Sequence, residues 1–166
     1  FNYLINKLLK NYFKKRIDAL LKSNGYSVEW TDVSSFLKHP DAIQALKKPF
    51  LGGDDPLFGT RCTLDLEDFF NAEVLKNIEL HQDHDINIII GPGSYLFGLE
   101  GLLVYIDLPK NEIQYRARAG TIWNFGDSRP ADPKEMYKCF YFIDWIILNR
   151  HKQKILSSIG IFVDGQ

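Results

Sequence analysis

The chain has 166 residues, of which 45% are hydrophobic and 14% aromatic, enough to bury one sizeable core, and residues 1–166 fall within the usual range of a single domain. Twenty basic residues nearly cancel twenty-one acidic ones, leaving a net charge of -1, so no global field draws the chain to nucleic acid or lipid. Cys62 and Cys139 match no metal or redox spacing, which predicts reduced thiols. The most apolar stretch, Phe140 to Leu148, holds Asp144 and is too short to cross a bilayer, so a cytoplasmic protein with no membrane partner is expected.

In chain order, apolar residues from Leu4 to Leu21 recur at three-and-four spacing, with lysines 7, 10, 14, 15 and 22 and Arg16 on the other face. The spacing predicts a helix with a solvated basic face, ended by Asn24-Gly25. Tyr26 to Trp30 predicts a short strand with Asp32 at its C-terminal end. Residues 36 to 47 predict a short helix interrupted near His39-Pro40, and Gly52, Gly53, Asp54, Asp55, Pro56 and Gly59 mark an irregular loop. Helical spacing resumes from Thr63 to Leu80, and nine acidic side chains between residues 52 and 86 give the domain an acidic side.

Ile86 to Ile90 and Leu102 to Ile106 are nearly continuous aliphatic runs, as expected of central strands covered on both faces. Each ends in a polar or glycine-rich turn, where ligands gather in open α/β sheets. Ala131 to Ser157 predicts a helix opened by Asp132-Pro133, and Gly160 to Val163 a last strand at an edge. Alternating helices and aliphatic strands predict an α/β fold with a doubly wound, mostly parallel sheet and helices on both faces. A first strand is missing from the pattern. The chain begins at Phe1 already inside an amphipathic run, so a piece of a longer protein is expected.

Each candidate site residue has two readings. Asp32 suits a base or magnesium contact, or a turn former before two serines. Asp54 and Asp55 suit a sugar hydroxyl or magnesium-phosphate contact, or the start of a turn at Pro56. Gly91, Gly93 and Ser94 bring main-chain amides to a phosphate or form a tight turn; Pro92 excludes the GxSxG of a nucleophile elbow. Arg116 and Arg118 clamp a phosphate from an extended or a helical segment, or bridge to Glu112 and Asp107. His81 and His84, beside Asp83 and Asp85, have a spacing that a metal site can use, but no second ligand pair accompanies them.

The order of these landmarks resembles the uridine kinase group of P-loop kinases over most of the chain. Asp32, after Ser27-Val28-Glu29-Trp30-Thr31, matches the family's acidic residue at the end of its second strand. Asp54-Asp55-Pro56-Leu57-Phe58 resembles its Asp-His-Pro-Asp-Ala segment, with Asp55 in place of His and Leu57 in place of the second Asp. The strand before Gly91, Val104-Tyr105-Ile106-Asp107 with Gln114, Arg116 and Arg118, and Ile159-Gly160-Ile161-Phe162-Val163 resemble its later strands and arginine-bearing lid.

The resemblance implies Asp32 as catalytic residue and Asp54, Asp55, Gly91, Gly93, Ser94, Arg116 and Arg118 as ligand-binding residues. Yet the GxxxxGK[ST] cradle that such chemistry needs is absent from the sequence. ATP and magnesium are therefore expected only if a P-loop lies upstream of Phe1.

Glu112 to Arg118, Phe140 to Trp145 and Arg150-His151-Lys152 are similar to the N-terminal kinase-like extension of some bacterial type I mannose-6-phosphate isomerases. The zinc site of that isomerase belongs to its cupin domain and has no counterpart here. The resemblances together imply an incomplete or noncatalytic kinase-like domain, the accessory part of an isomerase-related protein, binding a nucleotide or sugar phosphate and adjoining an isomerase domain or a second copy. The alternatives are an active nucleoside or sugar kinase cut before its P-loop, and a noncatalytic interaction module.

Overall fold

The structure is a computed structural model that describes residues 7–55, 57–75 and 80–165. Helix α1, Lys7–Ser23, ends where Asn24 and Gly25 donate main-chain bonds back to Leu21 and Lys22, with Gly25 at a φ of 86°. A left-handed residue at this point is why glycine stands there. The predicted start at Leu4 lies outside the described residues. The basic face is less solvated than expected. Lys10 pairs with Asp32, Lys14 sits 5.4 Å from the Trp30 ring centre, and Asp18 accepts from the Trp30 indole at 3.2 Å.

These contacts hold α1 on strand β1, Val28–Asp32, which runs parallel to β2, Ile86–Ile90, in a register that sets Val28 opposite Ile86 and Asp32 opposite Ile90. Asp85 locks that register by accepting from both the amide and the hydroxyl of Ser27. A second parallel pair joins β3, Val104–Asp107, to β4, Ile161–Asp164. Among the described residues these are two separate two-stranded sheets. The α/β class with parallel pairing is thus present, while β2 and β3, expected as central strands, are each hydrogen-bonded on one side. Strand β4 is exposed along its length, as an edge strand is.

Further helices follow along the chain. Helix α2, Pro40–Lys47, starts after the expected break, with proline in its first turn. Residues 63–80 do not form the one helix that their periodicity predicts. A single turn at Leu66–Phe69 is followed by α3, Ala72–Leu75, and residues 76–79 lie outside the described set.

Tertiary hydrogen bonds override the periodicity: Lys38 donates to the Phe69 carbonyl and Asn71 to that of Phe36, pulling residues 69–71 into a bridge beside Leu37. Leu66, Phe69 and Phe70 are nevertheless buried. The apolar spacing marked the inward residues, but not the element that carries them.

Helix α4, Lys110–Arg118, places the two arginines on helical backbone. Helix α5, Pro133–Cys139, is capped by the Asp132 carboxylate, which accepts from the Lys134 amide at 2.9 Å. It runs into a π turn at Phe140–Asp144 and on into α6, Trp145–Ile155. The wide turn inserts a residue and rotates α6 relative to α5, so that Phe140, Ile143 and Asp144 are all buried.

Two apolar clusters result. One gathers Val33, Ile43, Phe69, Phe70, Phe125 and Ile147; the other gathers Ile106, Ile113, Ile122, Met136, Phe140 and Trp145. Helix α6 contributes to both, which makes it the spine of the described fold. Arg150 on α6 clamps the approach to the Leu66 turn by donating to the carbonyls of Cys62 and Leu64. Cys62 and Cys139 are buried and unbonded to each other.

Candidate functional site

Asp32 ends β1 and Gly91 follows β2, so the parallel register sets them side by side. A Cβ added to Gly91 would stand 3.7 Å from the Asp32 Oδ1 atom and 2.5 Å from the Val33 Cγ2 atom. The aspartate is engaged: Oδ1 accepts from the Ser34 amide at 2.9 Å and its hydroxyl at 2.7 Å, while Oδ2 meets the Lys10 ammonium. Burial pushes its carboxyl up, but Lys10 and the two Ser34 bonds outweigh burial, and the net shift is downward. A base at this position would first have to part from Lys10.

The adjoining turn is also engaged. Ser94 donates its amide to the Gly91 carbonyl and Leu96 to that of Gly93, closing a turn over Ser94–Phe97. Gly93, at a φ of 91°, lies against Phe70, whose Cζ atom would be 2.7 Å from a Cβ there. The glycines therefore admit close packing of the β2 turn against the core.

Asp54 is exposed in the loop. Asp55 accepts from the amides of Leu57 and Phe58, each at 2.8 Å, and those bonds hold its carboxyl below the usual range. On α4, Arg116 donates to Glu112 at 2.6 Å, one helical turn back, whereas Arg118 is exposed and reaches a different neighbourhood. The predicted residues thus do not converge: Asp32 lies with Gly91, Gly93 and Ser94, Arg116 is paired with Glu112, and Arg118 lies at a cavity near the loop that holds Asp54 and Asp55.

Arg118 borders a cavity of about 250 Å³ between α4, α5 and the loop at Leu57. Ala117, Met136 and Phe140 supply apolar walls, and Lys134 and Lys138 bring two more cations. None of the lining residues is acidic. Lys138 is 8% exposed and donates to the main-chain carbonyl of Asp55, which ties this cavity to the predicted loop.

A buried polar network escaped the sequence analysis. Asp144, fully buried in the π turn, accepts from the Asn124 side chain at 2.8 Å and the Phe125 amide at 3.1 Å. Lys47, also buried, donates to Asp127 at 2.7 Å, and Gln44 donates to the same oxygen. Burial raises the Asp144 carboxyl to about 6 against the pull of Lys47 and of its hydrogen bonds. Lys47 stays protonated: burial opposes its charge, but Asp144 and Asp127 outweigh it and shift it upward. The one local signal was an aspartate inside an otherwise apolar run, from Phe140 to Leu148.

Between the two sheets, Gly91–Tyr95 after β2 and Leu103–Tyr105 at β3 border a narrow cleft floored by Leu148, His151 and Ile155 of α6. His151 is buried there, and burial lowers its imidazole to about 4. Beside β3, Lys152 pairs with Asp107 at 2.5 Å. His81 and His84 stand 6.1 Å apart between ring centres, and His84 meets the Asp83 carboxylate at 3.2 Å. No group of three metal-ligating side chains occurs among the described residues, nor any helix long and apolar enough to cross a membrane.

No curated protein and no solved structure matches the chain. A family model, described as domain of unknown function DUF8485, matches residues 5–166. That match takes in both strand pairs, the buried network and the cationic cavity, and the chain belongs to this DUF8485 family.

Proposed function

We propose that this is an incomplete, noncatalytic uridine kinase-like domain that binds a phosphorylated small molecule, and that it is the accessory part of a mannose-6-phosphate isomerase-related protein. The observation that carries the fold is the placement of the two parallel pairs. Among the described residues β2 and β3 each have a partner on one side only, and the turn that follows β2 and residues of β3 border the same cleft over α6. One further parallel strand between β2 and β3 would join them into a five-stranded, doubly wound sheet in the order β1, β2, added strand, β3, β4.

Binding without transfer is supported by the engaged state of Asp32, held by Lys10 and Ser34, and by the absence of a GxxxxGK[ST] cradle in residues 1–166. Cationic side chains free of carboxylates around a cavity support a phosphorylated ligand.

The test is thermal stabilisation with magnesium-ATP, nucleoside monophosphates and mannose 6-phosphate at millimolar concentration, beside an assay for phosphoryl transfer to uridine and to mannose. Stabilisation without transfer is expected, since a ligand that binds only the folded state raises its stability by mass action. ATP turnover by residues 1–166 would overturn the noncatalytic reading; no shift with any phosphate compound would overturn the ligand.

A further inference from the structure

We infer that the cavity between α4 and α5 is a binding site for a phosphate monoester that carries a planar ring with apolar faces, the chemistry of a nucleoside monophosphate. The inference rests on the proposal that the domain binds a phosphorylated small molecule, and it assigns that ligand a site away from Asp32 and the β2 turn.

Charge carries the first part of the argument. Arg118, Lys134 and Lys138 border the cavity and no acidic side chain does, in a protein whose overall charge is -1. Lys138 is the decisive member. It is as buried as a core residue, yet its hydrogen-bond acceptor is a main-chain carbonyl, that of Asp55, and no carboxylate lies within ion-pair distance among the described residues.

The Asp55 carboxylate is drawn down by Lys138 at longer range, but its own bonds go to the amides of Leu57 and Phe58. The other buried lysine among the described residues, Lys47, has Asp127 at 2.7 Å. With the Asp55 carboxylate only at longer range, an anion entering the cavity would give the Lys138 ammonium a counter-charge in direct contact. Arg118 and Lys134 are exposed at the same cavity, and neither forms an ion pair among the described residues. Both are free to meet a dianion.

The walls carry the second part. Ala117, Met136 and Phe140 are apolar, and Leu57 and Tyr137 extend that surface to the rim, where they are 70% and 49% exposed. Exposed side chains of this size beside a cavity are what a flat apolar body covers. The uncharged polar side chains at the cavity are few, Gln114 and the Tyr137 hydroxyl. A hexose would bring several hydroxyls to a wall that offers them little hydrogen bonding, and burying them unpaired is unfavourable. At about 250 Å³ the cavity lies just under the usual range for small-molecule sites, which suits one nucleotide and not a dinucleotide.

The test is calorimetry on residues 1–166 with AMP, UMP, phenyl phosphate, mannose 6-phosphate and inorganic phosphate, repeated on Arg118→Ala/Lys134→Ala. Both replaced residues are exposed, so the double variant is expected to keep the thermal midpoint of the parent. The expected result is binding of the three monoesters that carry a planar ring at least about tenfold tighter than mannose 6-phosphate, with a loss of about tenfold or more in the double variant. A Lys138→Met variant that still folds should lose binding further.

Equal binding by parent and double variant would overturn the site while leaving a phosphorylated ligand in place. Equal binding of mannose 6-phosphate and phenyl phosphate would overturn the planar body. Silence of the parent toward all five compounds would overturn this site together with the ligand reading on which it rests.

Discussion

Two buried ionisable residues oppose each other as the pH falls. His151 has a folded pKa of about 4, below the ordinary 6.5, so the stability it contributes is present above 6.5 and is lost as the pH falls through that window. The full loss is on the order of 3 kcal/mol, at about 1.4 kcal/mol per pKa unit. Asp144 runs the other way. Its folded pKa is raised to about 6 from 3.8, so its contribution is complete below 3.8 and is lost as the pH rises through 6.

Urea unfolding between pH 6.5 and 4 should therefore give His151→Leu a stability that rises on acidification relative to the parent. Asp144→Asn should fall relative to it. Parallel curves for either variant would refute the assignment. Replacing Lys47 by Met would leave Asp144 and Asp127 without their cation, and a loss of roughly 3–5 kcal/mol is expected from breaking one partner of a buried pair.

At the scale of elements, the turn after β2 separates a packing role from a binding role for its glycines. Gly93→Ala would set a Cβ 2.7 Å from Phe70 on a backbone with a φ of 91°. A lowered thermal midpoint, with a loss of about 2 kcal/mol or more, is expected from the close contact and the left-handed backbone together. Mononucleotide affinity should not change, because the turn lies apart from the cavity beside α5. A variant of unchanged stability and weakened affinity would return the turn to the ligand. The π turn is the other element with a defined consequence: Asp144 is buried there because the helix widens, and its partners Asn124 and Phe125 come from the loop after α4.

For the whole molecule, the question is the cleft between the sheets. Two-stranded sheets are marginal by themselves, and open edges on aliphatic strands invite pairing. In hydrogen exchange, the amides of β2 and β3 that point away from β1 and β4 should exchange faster than those that point toward them. A chain that supplies the additional strand should protect the fast set. Uniform protection of all β2 amides in the isolated chain would mean that the cleft is closed, and the five-stranded reading would fall. That experiment is separate from ligand binding, so the sheet and the pocket stand or fall independently.

Much of the frame was legible in the residues. The aliphatic runs at 86–90 and 102–106 read as strands, the second of which starts two residues later, at Val104, and Asn24-Gly25 and Asp132-Pro133 carry helix punctuation in their own backbone preferences. Asp32 beside Gly91 followed once the strands were parallel, because a local pattern places both at strand ends.

The helix predicted over 63–80 failed for the opposite reason: its periodicity reports which side chains face inward, while main-chain bonds from Lys38 to Phe69 and from Asn71 to Phe36 chose another backbone. Periodicity could not place Lys47 beside Asp127, set Asp144 under Asn124, or reveal that Lys138 would be buried against the Asp55 carbonyl. The sequence by itself determined the elements and their inward faces, through spacing and local backbone preference. Only the tertiary structure decided which charges are neutralised and which remain unpaired, because that depends on residues about eighty positions apart meeting where water is excluded.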